Sequence, residues 1–383
     1  MKRRLVILTE IISPYRIPLF NALAEKSEVQ PHVIFYSETD PSLREWRIYK
    51  EEIRFSYEVL PSWRRRVGRY NVLLNRGLAG ALTAASPDAI LCGGYSYVAS
   101  WQAMLWSRSR SIPFLLWSES NLQDARRGRA IVEMLKAEFL RRCEGFVVPG
   151  KSAFAYLRSQ KMKEEKIFIA PNAVDNDFFS ASAKRVQQRA AEHRRELGLP
   201  LRYLLFVGRL VREKGVSELL SAYSQMSESL RAEFGLVFVG DGPLRSQLQE
   251  RAASITPGTI HFAGFAHREQ LPAYYALAEF LVLPTYTDTW GLVVNEAMAC
   301  GLPVILSEAA GCAADLVTKD WNGRLVPSGD IASLAAAMTS VASQPDLRLA
   351  MSGNSQQRIT QYSPVRWAES IDLAIQSLVS KID

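Results

Sequence analysis

One stretch of this sequence looks more constrained than its surroundings: TDTWGLVVNEAMACGLPV, residues 287–304, where Asp288 and Glu296 stand eight positions apart around a glycine. The preceding FLVLPT reads as a buried strand, 287–292 as a loop, and VVNEAMACG as a helix that stops at Gly301. Asp288 then lies in the loop and Glu296 inside the helix. Carboxylates so placed accept hydrogen bonds from hydroxyl groups, and two of them suit a sugar and a ribose. Backbone N–H groups near Gly291 can face a phosphate at the helix start. The plainer alternative is a capping acid followed by an ordinary helix glutamate.

A second constellation is FVGRLVREKGV, residues 206–216. A buried strand ends at Gly208, and Arg209 and Lys214 follow on the turn that leads to the next helix. The glycine admits a ligand close to the backbone, and two cations beside a helix N-terminus favour a diphosphate. Two solvated surface cations are the bland alternative. FVGDGP, residues 238–243, has the first two glycines of a dinucleotide fingerprint, but Arg245 stands where the third belongs, so a tight turn is the preferred reading. DND, residues 175–177, is a rival site of the Asp-x-Asp type that holds a divalent ion on a nucleotide diphosphate. In the first half, EIISPYR (10–16), GGYSY (93–97) and SESNLQD (118–124) follow strand-like runs. They offer Glu10, Arg16 and Glu119, with Glu119 open as a base, an acceptor-orienting group or, in preference, a helix cap.

These loops need strands to hold them. RLVILT, PHVIFYS, DAILCGG, PFLLWSE, GFVVPG and KIFIAPN supply six in the first half; YLLFVGRL, GLVFVGDG, TIHFAGF, EFLVLPT, PVILSE and GRLVPSGD supply six in the second. The runs are continuous rather than alternating, which marks strands covered on both faces. Helical patterns at 18–25, 70–85, 97–110 and 130–142 separate those of the first half. The fold expected is α/β: two Rossmann-like, doubly wound parallel sheets facing across a cleft, with ligands at the C-terminal strand ends. The domains fall at 1–178 and 196–361. A final helix at about 362–383 has apolar residues at helical spacing.

At 383 residues the chain is too long for one ordinary core, which supports that division. No apolar run reaches the roughly 18–20 residues of a membrane helix. The basic start MKRR precedes a run broken at Thr9 and Glu10, so it reads as a strand rather than a signal peptide. The four cysteines are scattered without CxxC spacing, which fits a reducing cytoplasm and excludes a structural zinc site. The net charge of +7 is concentrated: residues 60–130 carry ten arginines against three acids, including SWRRRVGRY (62–70) and ARRGR (125–129). Basic and aromatic residues together point to an anionic membrane surface or a phosphorylated acceptor; a solvated face without a partner is the alternative. No zinc-finger or RNA-binding signature is present, so nucleic acid is not expected as a partner.

Taken in order, FIAPNAVD, FVGRLVREKGV, FVGDGPLRSQL, HFAGF, LPTYTDTWGLVVNEAMACGLPVI and NGRLVPSGD resemble the retaining nucleotide-sugar glycosyltransferases of family 4, which have the GT-B fold. The resemblance runs along nearly the whole chain and is most specific from Ile169 to Asp330. PYRIPLF with DTWGLVVNEAMACG is similar to a subgroup from bacterial polysaccharide and O-antigen clusters. The resemblance implies that Gly208, Arg209 and Lys214 hold the diphosphate of a UDP- or GDP-sugar. It places Asp288 on donor-sugar hydroxyls as the first acid of the family's E-x7-E motif, and Glu296 on the ribose as the second. Backbone around Trp290, Gly291, Leu292 and Val293 would meet sugar and phosphates, and backbone around Phe265 the base. It also implies a C-terminal helix that crosses back onto the first domain, and no required cofactor or metal. The acceptor would be a glycan or lipid-linked glycan, and the location peripheral at the inner face of the cytoplasmic membrane.

Three positions depart from the family pattern. Asp288 replaces a glutamate and is one methylene shorter. SPYRIP lacks a common glycine pair. WSES stands where the family's cleft histidine is sought, which leaves Glu119 as the first-domain catalytic candidate. The alternatives are a nucleotide-sugar-binding module with weak turnover and, further off, an NAD-linked dehydrogenase.

Overall fold

The computed structural model describes residues 2–40, 47–67, 70–122 and 130–379. It divides into two units: residues 1–174 with 363–383, and residues 175–362.

The first unit is built on β1 (Arg3–Thr9), β2 (Val29–Phe35), β3 (Ser56–Val59), β4 (Ser62–Val67), β5 (Tyr70–Asn75), β6 (Ala89–Cys92), β7 (Phe114–Trp117), β8 (Gly145–Val148) and β9 (Ile167–Ile169). Seven of them form a parallel sheet in the order β3-β2-β1-β6-β7-β8-β9. Strand β1 shows why its apolar run is continuous. Leu5 and Ile7 enter one core and Val6 and Leu8 the core on the opposite face. The first of these cores is completed by the helix Pro364–Val379, through buried Trp367, Ile371, Ala374, Ile375 and Leu378. Trp367 lies 5.8 Å from the Phe20 ring and 5.3 Å from Trp117, and Asp372 bonds Ser27. Full burial of such side chains contributes roughly 1.5–3 kcal/mol each, so the last helix is part of this unit's core.

The structure corrects one element. A helix over 70–85 is expected from its alanines and leucines, but 70–75 is β5, paired antiparallel with β4, and the helix covers only Leu78–Ala85. Gly77 lies between them at φ +83°, a conformation that ends the strand and that side-chain-bearing residues avoid. The hairpin also changes the meaning of the basic segment. Arg64 is not a free surface charge: it is ion-paired with the buried Asp40 and lies 3.4 Å from Glu10. The other basic run, residues 125–129, lies outside the described residues. Among the described residues no helix is long and apolar enough to cross a membrane.

The second unit carries β10 (Tyr203–Val207), β11 (Gly235–Val239), β12 (Ile260–Gly264), β13 (Phe280–Leu283), β14 (Val304–Ser307) and β15 (Gly323–Val326), parallel in the order β12-β11-β10-β13-β14-β15. The chain winds one way through β10, β11 and β12 and the other way through β13, β14 and β15. The reversal between β10 and β13 opens a crevice at their C-terminal ends, the place where doubly wound sheets bind ligands. The helices Asn176–Gln188 and Ala190–Leu197 belong to this unit too.

Candidate functional site

The loops that leave β10 and β13 flank that crevice, and the backbone laces them together. Glu213 O accepts from Thr285 Oγ1 and from Tyr286 N, both at 2.8 Å. Gly215 sits at φ +66°, and a Cβ there would stand 2.1 Å from Pro284 O. Two loops whose bonded residues, Glu213 and Thr285, are 72 apart in sequence therefore meet backbone to backbone, which only glycine permits.

The consequence is an ion pair between Lys214 Nζ and Asp288 Oδ2. Both side chains are largely enclosed, at 24% and 13% exposure. Gly208, at φ +152°, donates its N–H to Val239 O at 2.9 Å, and Arg209 beside it is exposed. The Arg209 guanidinium has no side-chain partner among the described residues, so this cation is available to an anion. The neighbouring FVGDG turn serves packing. A Cβ at Gly240 would lie 2.0 Å from Gly208 O, and one at Gly242 would lie 2.5 Å from Leu210 O. Arg245 pairs with Asp241 at 2.7 Å.

Beyond Asp288, the segment 287–291 is pinned from behind. Gly311 N donates to Asp288 O and Cys312 N to Trp290 O, both at 3.0 Å. The Trp290 indole is core: it is 2% exposed and donates to Asn295 Oδ1 at 2.8 Å. At this position only the backbone is left to face a ligand. Gly291, at φ +98°, precedes the helix Leu292–Ala299. The N–H groups of Leu292 and Val293 lie in its first turn, where no intrahelical acceptor exists.

Glu296 lies one turn further on and is buried, at 8% exposure. Its Oε2 accepts from Tyr275 Oη at 2.7 Å. Removal from water pushes its carboxyl up to about 7, against the opposing pull of the Tyr275 hydrogen bond and of Arg268. The Tyr275 hydroxyl is pushed well above the ordinary phenol range by burial and by the Glu296 charge. Phe265 follows β12, is 46% exposed, and meets His267 edge-on at 5.0 Å.

Thus the loops after β10, β12 and β13 carry Gly208, Arg209, Lys214, Phe265, Asp288, Trp290 and Gly291, and the helix that follows the last of them carries Leu292, Val293 and Glu296, all on one unit. Glu119 stands on the other, after β7. Its Oε1 accepts from Asn172 Nδ2 at 3.1 Å and lies 3.7 Å from Arg16. Arg16 also donates to Thr9 and stacks over Trp117 at 4.4 Å. Glu119 is therefore held by side chains from loops beside it rather than spent as the preferred helix cap. The rival acid Asp175 does cap: it accepts from Phe178 N at 2.9 Å at the start of the helix Asn176–Gln188. Sequence reading misses Tyr275, which sits in the apolar helix Leu271–Leu277 and reads there as core.

Two parallel Rossmann-like units, the second with its polar loops at the strand-order reversal, define a GT-B architecture. The same fold is found in the Anabaena protein Alr3699/HepE in complex with UDP, with a TM-score of 0.76 at 17% identity over 98% of this chain and 100% of that one. Residues 19–178 match the model of Glycosyltransferase Family 4, and residues 190–358 that of Glycosyl transferases group 1. This chain belongs to glycosyltransferase family 4.

Among its relatives, a D-inositol 3-phosphate glycosyltransferase of Corynebacterium kroppenstedtii is 31% identical over 54% of this chain and 46% of its own length. The putative teichuronic acid biosynthesis glycosyltransferase TuaC of Bacillus subtilis is 39% identical over 33% of this chain and 30% of its own length. The matched segment thus spans about half or less of these two relatives.

Proposed function

We propose that this chain transfers a hexosyl group, with retention, from a UDP- or GDP-sugar to a hydroxyl of a lipid-linked or polysaccharide acceptor. The observation that carries the reading is the meeting of Lys214 and Asp288 where the strand order reverses, with Arg209 exposed beside them. Arg209 and Lys214 take the diphosphate, together with the N–H groups that open the helix Leu292–Ala299. Asp288 and Glu296 take sugar and ribose hydroxyls. The acceptor hydroxyl attacks the anomeric carbon on the face that the nucleotide leaves, and the departing diphosphate accepts its proton. Rate comes from holding the reactants together and from cations placed where charge develops on the leaving group. Glu119, oriented by Asn172 and Arg16, is the first unit's candidate for contacting the acceptor. Work at the inner face of a membrane fits the arginine-rich residues 60–130.

A second reading is a module that binds nucleotide sugar without turning it over. It is favoured by the Asp288 carboxylate being already engaged by Lys214 and one methylene short for the sugar. UDP release from UDP-glucose in the presence of acceptor, lost in Lys214→Ala, would dismiss it.

A thermal-shift screen over UDP-, GDP- and ADP-sugars tests donor binding, and one nucleotide series is expected to raise Tm. Arg209→Ala should weaken the preferred donor about tenfold, the cost of one exposed charge-assisted hydrogen bond. Its own Tm should not change, because the side chain makes no contact that the fold needs. Undiminished affinity would remove Arg209 from the diphosphate site.

A further inference from the structure

We propose that Tyr275 is a positioning residue of the donor site, its hydroxyl fixing one oxygen of the Glu296 carboxylate so that the other is presented to the nucleotide's ribose. The inference rests on the reading of Glu296 as the ribose acceptor and assigns the residue that makes it one.

The surroundings of Glu296 are unusual for a structural acid. A helix glutamate ordinarily reaches water or a cation, because a buried carboxylate with neither costs several kcal/mol. Among the described residues the carboxylate's hydrogen bond, at 2.7 Å, is neutral, from a phenol that is itself fully buried, and Arg268 reaches it through its charge without a hydrogen bond. The groups facing it are few. Tyr275 comes from the helix Leu271–Leu277, Arg268 from the loop after β12, and Cys300 from the end of its own helix. Arg268 acts on Glu296 through its charge, and its guanidinium lies 5.0 Å over the Phe178 ring. Cys300 is buried and its thiol is held protonated by desolvation and by the Glu296 charge. Tyr275 is locked as well: its ring meets Phe179 edge-on at 6.2 Å. Its hydroxyl stays protonated throughout the working range, so it always donates and never competes with Glu296 for a ligand hydroxyl. A carboxylate with one oxygen engaged by a fixed donor is held in one orientation and offers its remaining lone pairs in fixed directions, the geometry that a pair of ribose hydroxyls needs.

The reading has a pH signature. The ionised carboxylate accepts from both ribose hydroxyls, whereas the neutral acid must spend a lone pair or turn its proton away. With its carboxyl raised to about 7, Glu296 ionises within the accessible window. Donor affinity should therefore rise as pH rises through that value. The Tyr275 hydrogen bond favours the ionised form, so its removal should move the midpoint upward.

The test is calorimetric titration of UDP-glucose, whose diphosphate diester does not titrate here, between pH 6 and 8.5. Wild type is expected to bind about tenfold more tightly at the top of the window than at the bottom, and Tyr275→Phe to bind about tenfold more weakly at pH 8, with a later midpoint. UDP-glucose built on 2′,3′-dideoxyribose should reduce the Tyr275→Phe penalty to less than about twofold, since both hydroxyls of the positioned contact are gone. A lower Tm in Tyr275→Phe with an unchanged affinity profile would make Tyr275 merely structural and overturn the proposal. Tyr275→Phe retains the ring, and Tyr275→His serves as a second donor-bearing variant that should recover part of the affinity. Glu296→Gln separates the two layers. If it leaves UDP-glucose affinity unchanged, the ribose reading itself fails; if it weakens binding and flattens the pH profile while Tyr275→Phe does neither, only the role of Tyr275 falls.

Discussion

Lys214→Ala is expected to lower kcat/KM for the nucleotide-sugar donor by about 100- to 1,000-fold while moving Tm by less than about 2 °C. The catalytic figure is that of removing one fixed charge-stabilising donor from a site that excludes water. The small stability figure follows because the pair it makes with Asp288, though largely enclosed, is not fully buried in the free protein (24% and 13% exposure), so each charge keeps part of its hydration and the pair contributes little net energy. The two effects separate because Lys214 has two jobs. In the free protein its ammonium neutralises Asp288. In the proposed donor complex the same ammonium would lie beside the diphosphate, where the leaving charge develops. Lys214→Arg should recover only part of the loss, since a planar fork cannot replace a compact ammonium in a space set by two interlocked loops. Asp288→Asn should cost less than Lys214→Ala, because it frees the lysine for the diphosphate while giving up sugar contacts. Initial-rate kinetics on folded variants checks all three, and an Asp288→Asn defect larger than that of Lys214→Ala would reverse the assigned roles.

Gly215→Ala is expected to cost about 3 kcal/mol of stability in the second unit, a fall in Tm of about 6–12 °C, and to take most activity with it. Two independent causes add. The residue sits at φ +66°, where a side chain is strained by about 1–2 kcal/mol. The new Cβ would also stand 2.1 Å from the Pro284 carbonyl oxygen, a backbone atom that moves only if the loop moves. Displacing it pulls against the bonds from Thr285 and Tyr286 to Glu213 and parts Lys214 from Asp288. The control is Gly353→Ala, within the helix Pro345–Ile359, where a Cβ meets nothing within 4 Å. That change should leave activity intact and raise stability by about 0.5–1 kcal/mol. Thermal unfolding with activity assays decides. A Gly215→Ala protein as stable and active as wild type would show that the two loops are not held at this contact.

Much of the fold was legible because burial on both faces leaves a plain mark. LVILT, YLLFV and FLVL read as continuous apolar runs, since alternate residues of one strand feed two different cores, as Leu5 and Val6 do in β1. Strands β3 to β5 left no such mark. They are short, β4 is rich in arginine, and β5 runs into a segment of helix formers from which Arg76 and Gly77 alone separate it. The charge count of residues 60–130 was accurate yet incomplete, because composition cannot show that Arg64 is spent on Asp40 and Glu10.

The site divides in the same way. Asp288, Glu296, Arg209 and Lys214 could be singled out from residue type, spacing and the strand–loop–helix pattern around them. That Lys214 meets Asp288 depends on β10 lying beside β13, and strand order is not written in any local window. Trp290 read as part of the ligand-facing loop, but its indole is tied to Asn295 in the core, so its place there is a matter of backbone. Tyr275 stayed hidden because a tyrosine in PAYYAL looks the same whether its hydroxyl is idle or holds a carboxylate.

The loops after β10, β12 and β13 are proposed to bind a nucleotide sugar. Backbone hydrogen exchange with and without saturating UDP-glucose tests this most directly. The expected result is slowed exchange in peptides spanning 208–215, 264–268 and 288–296, with the first-unit strands β1 to β9 unchanged apart from their exposed loops. Protection absent from 208–215 and 288–296, or centred on the FVGDG turn and produced by NAD instead, would remove the nucleotide sugar from these loops.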